Sequence, residues 1–584
     1  MSIPICFLII IPVLCAAALF CAPEKYRKYK EIFFITAVIF NLWAACFYFG
    51  RDIFSYSMWA AYDFSFSVII TKFTSFLIIV TAFFAALTAI FTVSNMKDNP
   101  RTSWFGAGML LALAFANGSL ITDSLVVLLV FIEALAIPFV IMIISSANDN
   151  KKLALKAFTI TAVADLFLMM GIGIIYSISR TMNISEVSLT LSGALPIAAF
   201  VFIAIGAAGK LGVMPFHSWM PEASEKTPVP FMVFMATAVE KVLGVYILII
   251  ALKMFNVMPG SCVTYTLIAI VSVSAILAAL LSNSQKSFKK MLIYTSISQG
   301  SFMMIAVLTA FPAAIAGAVL HLLAHTIYKS SLFFGAGIID DSKFETISYK
   351  KNPYIFLCFI FAVASFIGVP LFAAHYSKEF IYEGAMHSGA FVYVVMLLVT
   401  FFCSSAVLNW FGKIFFGNDG KFFEYPVTSM IPAVTTALLC LFCGIFYKVP
   451  LTIIQLRIPF EEHKDMFIFI MSVALLVLVL VNFIAGYRKK NGLGFIKYIV
   501  SALRIDKLDD NESADPYNAA MNVYGYFAKG SFSFDKALNW VYDAAFVNSA
   551  LFCSNIIKKA HNGSMSRYII WVLCGIAVII LFFI

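Results

Sequence analysis

Apolar runs of about 20 residues recur from one end of this chain to the other, and each is long enough to cross the ~30 Å hydrocarbon core of a bilayer. No other feature narrows the fold so far, because it rests on many segments rather than one. Of the 584 residues, 62% are hydrophobic and 12% are charged, where soluble domains carry about 25% charged residues. A soluble chain this apolar would expose far too much greasy surface to water, and its 61 phenylalanines suit contact with lipid instead. The expected fold is an all-α polytopic membrane protein.

Sixteen transmembrane helices are expected, near 3–22, 31–50, 67–94, 102–118, 120–146, 154–178, 194–214, 228–252, 262–282, 291–310, 312–338, 353–376, 390–416, 427–448, 466–486 and 568–584. Lys25, Arg27, Lys28 and Lys30 follow the first run rather than precede it, so that run reads as a membrane helix and not as a signal peptide. Basic residues then crowd alternate loops, with Lys97 and Arg101, Lys151 and Lys156, Lys226, Lys286 to Lys290, and Lys350 and Lys351 in one set. The positive-inside rule puts that set in the cytoplasm and both chain ends outside, in a cell inner (plasma) membrane. The net charge of +10 lies largely in those loops, so it acts as an orientation signal and does not point to nucleic acid.

Residues 488–567 break the pattern. An acidic stretch around Asp506 to Asp515 precedes a segment with Ala537, Val541, Ala544, Val547 and Leu551 along one helical stripe, which fits an amphipathic helix at the interface. The acidic part alone could equally be a disordered linker. The expected organisation is N-terminal helices in 1–100, a core in 101–420 with halves near 102–252 and 262–416, further helices in 421–487, a cytoplasmic or interfacial segment in 488–567 and a last helix in 568–584. The lone pair Cys440 and Cys443 offers too few donors for a four-ligand metal site and reads as two small packing residues.

Ionisable side chains inside a bilayer cost ~3 kcal/mol or more on insertion scales, so those found there need a reason. Glu133 lies deep in the run 125–144 with no charge near it in sequence, which suits a proton carrier or a partner for a lysine; the alternative is a structural hydrogen bond from a protonated carboxyl. Lys210 sits among Gly206, Gly209, Gly212 and Pro215, a density that breaks helices and frees backbone groups to line a polar cavity. Desolvation pulls such a lysine towards neutrality and a nearby carboxylate opposes it, so its charge is switchable; the alternative is a lysine snorkelling from a helix end. His321, His325 and Lys329 follow at four-residue spacing, drifting only ~40° around the helix and rising ~6 Å per step, so they make one polar stripe. Histidine suits a proton relay, and zinc is the rival reading of the two histidines. Lys378 follows Gly368-Val369-Pro370, a second break like that at Lys210, which suggests an internal repeat; Glu379 and Glu383 leave open a plain loop lysine. Asp165, Glu240, Lys241 and Lys289 are secondary candidates.

Several segments resemble a known family. Gly209-Lys210 with Pro215-Phe-His217-Ser-Trp219-Met-Pro221-Glu222, then Lys289-Lys290 to Gln299, His321 to Lys329, and Phe372-Ala-Ala-His-Tyr-Ser377-Lys378-Glu379 together resemble the antiporter-like subunits of respiratory complex I. The C-terminal part is most similar to that of subunit L of NADH–quinone oxidoreductase, and membrane-bound [NiFe] hydrogenases and Mrp cation/proton antiporters share the ancestry. The resemblance implies two inverted five-helix bundles with discontinuous helices. It implies that Glu133 pairs with Lys210, that His321, His325 and Lys329 form the central relay, and that Lys378 faces the exit. It also implies that this subunit binds no cofactor, while peripheral redox partner subunits carry iron–sulfur clusters and flavin or a NiFe centre. Ala162 and the pair Glu240-Lys241 depart from the usual family residues and lean towards a hydrogenase-type complex. The expected function is redox-coupled proton pumping as one membrane subunit among several, with no catalytic site of its own. A secondary antiporter of the Mrp type and a structural membrane anchor are the alternatives.

Overall fold

Each of these apolar runs that the described residues include has folded largely as helix. A computed structural model describes residues 7–50, 53–61, 64–146, 150–339, 347–416, 422, 425–454 and 466–488. All of them lie in the first of two units, Met1–Asn511 and Glu512–Ile584. The expected interfacial segment and the last helix at 568–584 lie outside the described residues. Among those described, twelve helices are long and apolar enough to cross a membrane, and three shorter apolar helices accompany them.

Helices α1 (Phe7–Cys21) and α2 (Arg27–Tyr48) lead into an antiparallel hairpin, β1 (Ile53–Ala61) and β2 (Phe64–Ile70). The hairpin corrects the expected span at 67–94. Phe64-Ser-Phe-Ser67 alternates with period two, the signature of a strand. The helix starts only where Thr71 can cap it: its hydroxyl accepts from the Thr74 backbone N–H at 3.1 Å, and the Thr74 hydroxyl accepts from the Thr71 N–H at 2.9 Å. Then come α3 (Lys72–Asn95), α4 (Thr102–Ile121), α5 (Leu125–Ala134), α6 (Ala136–Ser146) and α7 (Lys151–Ser179). Helix α8 (Ala194–Leu211) stops short and α9 (Trp219–Lys226) resumes after a turn. A first turn, α10 (Val229–Phe231), passes through a π-helical stretch at Met232–Val239 into α11 (Glu240–Met254). Helices α12 (Cys262–Ser284), α13 (Phe288–Leu308) and α14 (Pro312–Ile339) follow. Helix α15 (Pro353–Ile367) stops short as α8 does, and α16 (Ala373–Ser388) carries on from it, ahead of α17 (Ala390–Phe416), α18 (Val427–Ile445), α19 (Lys448–Ile454) and α20 (Met466–Arg488). The chain therefore does not leave the bundle at 376 as expected: Lys378 is 4% exposed on a helix, not in a loop.

The two interruptions are built alike. Gly212 and Gly368 take left-handed φ values of 68° and 89°, which glycine adopts without a steric penalty. The next residue then reaches back to close the helix end, Val213 N–H to Ala208 O and Val369 N–H to Ala364 O, each at 2.9 Å. Pro215 and Pro370 follow and cannot continue the helix.

Loops of the lysine-rich set touch one another at one end of the bundle. Arg27 donates to Met96 O at 3.2 Å, Asn150 to Lys226 O at 2.9 Å, and Lys290 pairs with Glu225 at 3.2 Å. At the other end Val68 bridges to Thr122, Ser124 to Asn183, and Leu189 N–H reaches Met254 O at 2.8 Å. The alternation read from basic residues is thus an alternation in space.

Inside the bundle, small residues set which helices come close, as they do where no hydrophobic force separates helix from lipid. A Cβ on Gly206 would meet Leu168 at 2.8 Å, and one on Gly209 would run into the Ala164 methyl. These contacts press α8 onto α7 beside Asp165. Replacing Gly209 by Val should lower the Tm of the solubilised protein by the equivalent of about 1–3 kcal/mol of overpacking. Gly173→Val on the same α7 is the control, since its Cβ meets nothing within 4 Å. Equal Tm shifts for the two variants would mean that α7 and α8 are not pressed together at Gly209.

Candidate functional site

The close approach of α7 and α8 brings two opposite charges together out of reach of water. Lys210 Nζ donates to Asp165 Oδ2 at 2.8 Å, with both side chains 4% exposed or less. Lys210 is therefore paired with Asp165, a residue ranked second on sequence grounds, rather than with Glu133. The Glu133 carboxyl is half-buried on α5 and lies within electrostatic range of both. It sits where that helix gives way: α5 ends at Ala134, because Pro138 lacks the N–H that would bond the Ala134 carbonyl.

The break after α8 frees backbone carbonyls in an apolar interior. A lysine from another helix meets them: Lys241 of α11, fully buried, donates to Leu211 O. Room for it comes from Gly300 on α13, where a Cβ would stand 2.8 Å from the Lys241 nitrogen. Its neighbour Glu240 is 6% exposed and interacts electrostatically with Lys210, Asp165 and Lys241. The preceding π-helical stretch, in which the Thr237 hydroxyl reaches the Met232 carbonyl five residues back at 3.0 Å, changes the phase at which these two side chains emerge. Such stretches gather at functional sites.

The stripe on α14 is as the spacing required: His321, His325 and Lys329 are all fully buried. Helix α13 backs them. Lys329 donates to Leu292 O at 2.7 Å and to the Thr295 hydroxyl. His321 is held at both ring nitrogens, Nε2 by Gln299 Oε1 at 2.8 Å and Nδ1 by Ser377 Oγ at 2.9 Å. Both ring nitrogens of His321 are thus taken up by hydrogen-bond partners. The Ser377 hydroxyl also has Ala374 O within 3.0 Å, so it can donate to a neutral imidazole or turn away and accept from a protonated one. His325 differs, since neither of its ring nitrogens has a hydrogen-bond partner among the described residues. A buried orphan of this kind is unfavourable by about 1–3 kcal/mol and marks a place that needs a mobile partner.

The second break repeats the arrangement of the first. Lys378 of α16 donates to Phe366 O, near the end of α15, at 2.5 Å. The Phe366 ring itself carries two ammonium groups, Lys329 at 5.1 Å and Lys378 at 5.7 Å from its centroid. Lys289 stands apart from this file: it is half-buried at the first turn of α13, beside Lys290, at the lysine-rich end of the bundle.

Residues 122–405 match the family described as NADH:quinone oxidoreductase/Mrp antiporter, TM. A subunit N of NADH-quinone oxidoreductase from Desulforudis audaxviator is 29% identical over 339 residues, 56% of this chain and 67% of that protein. A subunit L from Buchnera aphidicola is 28% identical over 69% of this chain and 64% of its own length. A Na(+)/H(+) antiporter protein from Alkalihalophilus pseudofirmus is 25% identical over 56% of this chain and 69% of its own. The matches thus span about two thirds of each relative. Among solved structures, the Mrp complex from Dietzia superposes with a TM-score of 0.69 at 18% identity, covering 99% of this chain and 62% of that one. An archaeal membrane-bound sulfane sulfur reductase superposes at 0.68 with 22% identity, covering 77% and 96%. These likenesses show the fold.

The buried ion pair makes its own prediction. Removing one partner of such a pair leaves an uncompensated charge, at about 3–5 kcal/mol. Asp165→Asn and Lys210→Met should each lower the Tm markedly, and the double variant should recover part of the loss. Strictly additive Tm losses would mean that the two groups do not interact in the folded protein.

Proposed function

We propose that this chain, whose residues 122–405 match the NADH:quinone oxidoreductase/Mrp antiporter family, is a membrane subunit of that family and carries protons across the bilayer along its buried file of lysine, carboxylate and histidine side chains. The carrying observation is continuity. Asp165, Lys210, Glu240 and Lys241 form one charged cluster, and His321, His325, Lys329 and Lys378 form a second on α14 and α16, all buried. Electrostatic interaction between Lys241 and His325 links the two. Charge in such a place is conserved by moving it rather than by adding it, since each unpaired ion inside the bilayer is costly.

The step begins at Asp165–Lys210. A charge driven towards that pair, with Glu133 and Glu240 as the nearest acceptors, weakens the carboxylate's hold on the ammonium. Lys210 then gives up its proton more readily, because desolvation favours its neutral form. The proton passes by Lys241 and His325 to Lys329 and His321. Lys378 delivers it beyond the second break. The like construction of the two breaks, each with a lysine on a freed carbonyl, supports two related halves acting in series.

The driving force is electron transfer in partner subunits of a complex, NADH–quinone or hydrogenase type, whose peripheral subunits carry the redox centres. A second reading has its own support in the Na(+)/H(+) antiporter relative and the Mrp-complex fold: exchange of a cation for protons with no redox partner. Co-purification with iron–sulfur subunits favours the first, and rescue of salt tolerance in a transporter-deficient host favours the second.

The proton path itself is tested in vesicles made from membranes that contain the protein. Lys210→Ala and Glu133→Ala should each slow proton uptake about a hundredfold or more, as expected for loss of a positioned proton-transfer group, while immunoblots show the protein still inserted. Uptake at the unaltered rate in both variants would leave the buried charges as structural ties between helices.

A further inference from the structure

We infer that His375 takes the proton that Lys378 releases and, with Glu379, forms the outlet of the path. The inference rests on the proposed proton transport and extends it by one residue pair. Helix α16 places His375 three residues before Lys378, which puts both on one face. They line one cavity of about 20 Å³, bounded also by Gly368 of α15, Thr400 and Ser404 of α17, and Ser472 of α20. That volume holds a single water molecule, and hydroxyl groups on two walls supply its hydrogen bonds.

The setting of the imidazole says which form it accommodates. Nδ1 lies 3.2 Å from the Gly368 carbonyl oxygen, and Nε2 lies 3.2 Å from Glu379 Oε1. Both nitrogens thus face oxygen acceptors. A neutral imidazole can place its one N–H on the carbonyl; the imidazolium keeps that bond and sets its positive charge 3.2 Å from the carboxylate, an ion-pair contact. The carbonyl is one freed by the break in α15, so the interruption that holds Lys378 also prepares the next acceptor. Among the described residues, the groups facing His375 from other helices are uncharged: the Gly368 carbonyl, the Phe469 ring at 6.5 Å and the cavity hydroxyls. Its charged neighbours are Lys378 and Glu379 on its own helix. His375 is 6% exposed, while the Glu379 side chain is 26% exposed and reaches the surface of the chain.

In the transfer, the Lys378 ammonium gives one proton to water in the cavity as that water gives one to His375. Lys378 is left neutral, and His375 becomes an imidazolium opposite the Glu379 carboxylate. The imidazolium then releases its proton on the Glu379 side. Lys378 is recharged from the inner file. No electron moves, and one proton enters and leaves per cycle.

The test uses membrane vesicles containing the full chain in its native complex. His375→Ala should slow proton transport about a hundredfold, the lower end of what a positioned proton-transfer group contributes, and added imidazole should restore much of the rate. His375→Gln, which leaves no space for imidazole, should be as slow and should not respond. Glu379→Gln should move the midpoint of the rate–pH curve to lower pH, because it removes the charge that favours imidazolium. If His375→Ala fails to reach the membrane, His375→Gln and Glu379→Gln decide the matter alone. The inference is overturned if the His375 variants keep the parent rate and pH profile, or if they are slow and imidazole does nothing for His375→Ala. Lys378→Ala separates the two levels. If it abolishes transport while the His375 variants behave as the parent, the outlet is wrong and the path stands. If it leaves transport unchanged, the path fails and the outlet with it.

Discussion

Backbone carbonyls that lose their helical partners inside an apolar bundle must find donors there, since no bulk water reaches them and each one left bare is unfavourable by several kcal/mol. The centre of this protein is organised by that requirement. Two helices stop within the bundle, at Gly212 and Gly368, and at each stop a lysine from a different helix comes to the exposed carbonyls, Lys241 at Leu211 and Lys378 at Phe366. A cation at a helix C-terminus also meets the negative end of the helix dipole. The ammonium groups are therefore tied to the fold at the very places where its helices are interrupted.

Helix α13 is the wall on which the rest is mounted. It is buried on every side, and it supplies Gln299 to His321, Leu292 and Thr295 to Lys329, and the gap at Gly300 that admits Lys241. A helix this deeply placed cannot be displaced without disturbing all three. The charged groups are thereby held at fixed depth, and what remains free to change is protonation and the rotation of short polar groups such as Ser377.

Much of this was legible in the residues because the bilayer is an unforgiving solvent. Apolar runs located the helices, four-residue spacing put His321, His325 and Lys329 on one face, and glycine beside proline located both breaks. Other features were not legible, for physical reasons. The extent of α16 was missed because polar His375, Lys378, Glu379 and Glu383 resemble a loop when read one by one, whereas burial in a bundle accommodates them on a helix. The hairpin at 53–70 falls between two apolar runs and overlaps the second only at 67–70, although its alternation of Phe and Ser was there to be read. The pairing of Lys210 with Asp165 depends on how closely α7 and α8 approach, which a sequence states only indirectly, through Gly206 and Gly209. The π-helical stretch before Glu240 left no signal, since its residues would serve an ordinary helix equally well.

The Phe366 ring has a consequence for traffic. One aromatic face system is shared by the ammonium groups of Lys329 and Lys378. Two like charges around a single ring in a medium of low polarity repel strongly, so full occupancy of both seats is disfavoured. On the proposed path, a proton arriving at Lys329 would favour loss of the one on Lys378, and a neutral Lys378 would draw the next proton forward. A ring with no titratable atom would in that way act as a turnstile, admitting charges one at a time and keeping successive carriers from crowding.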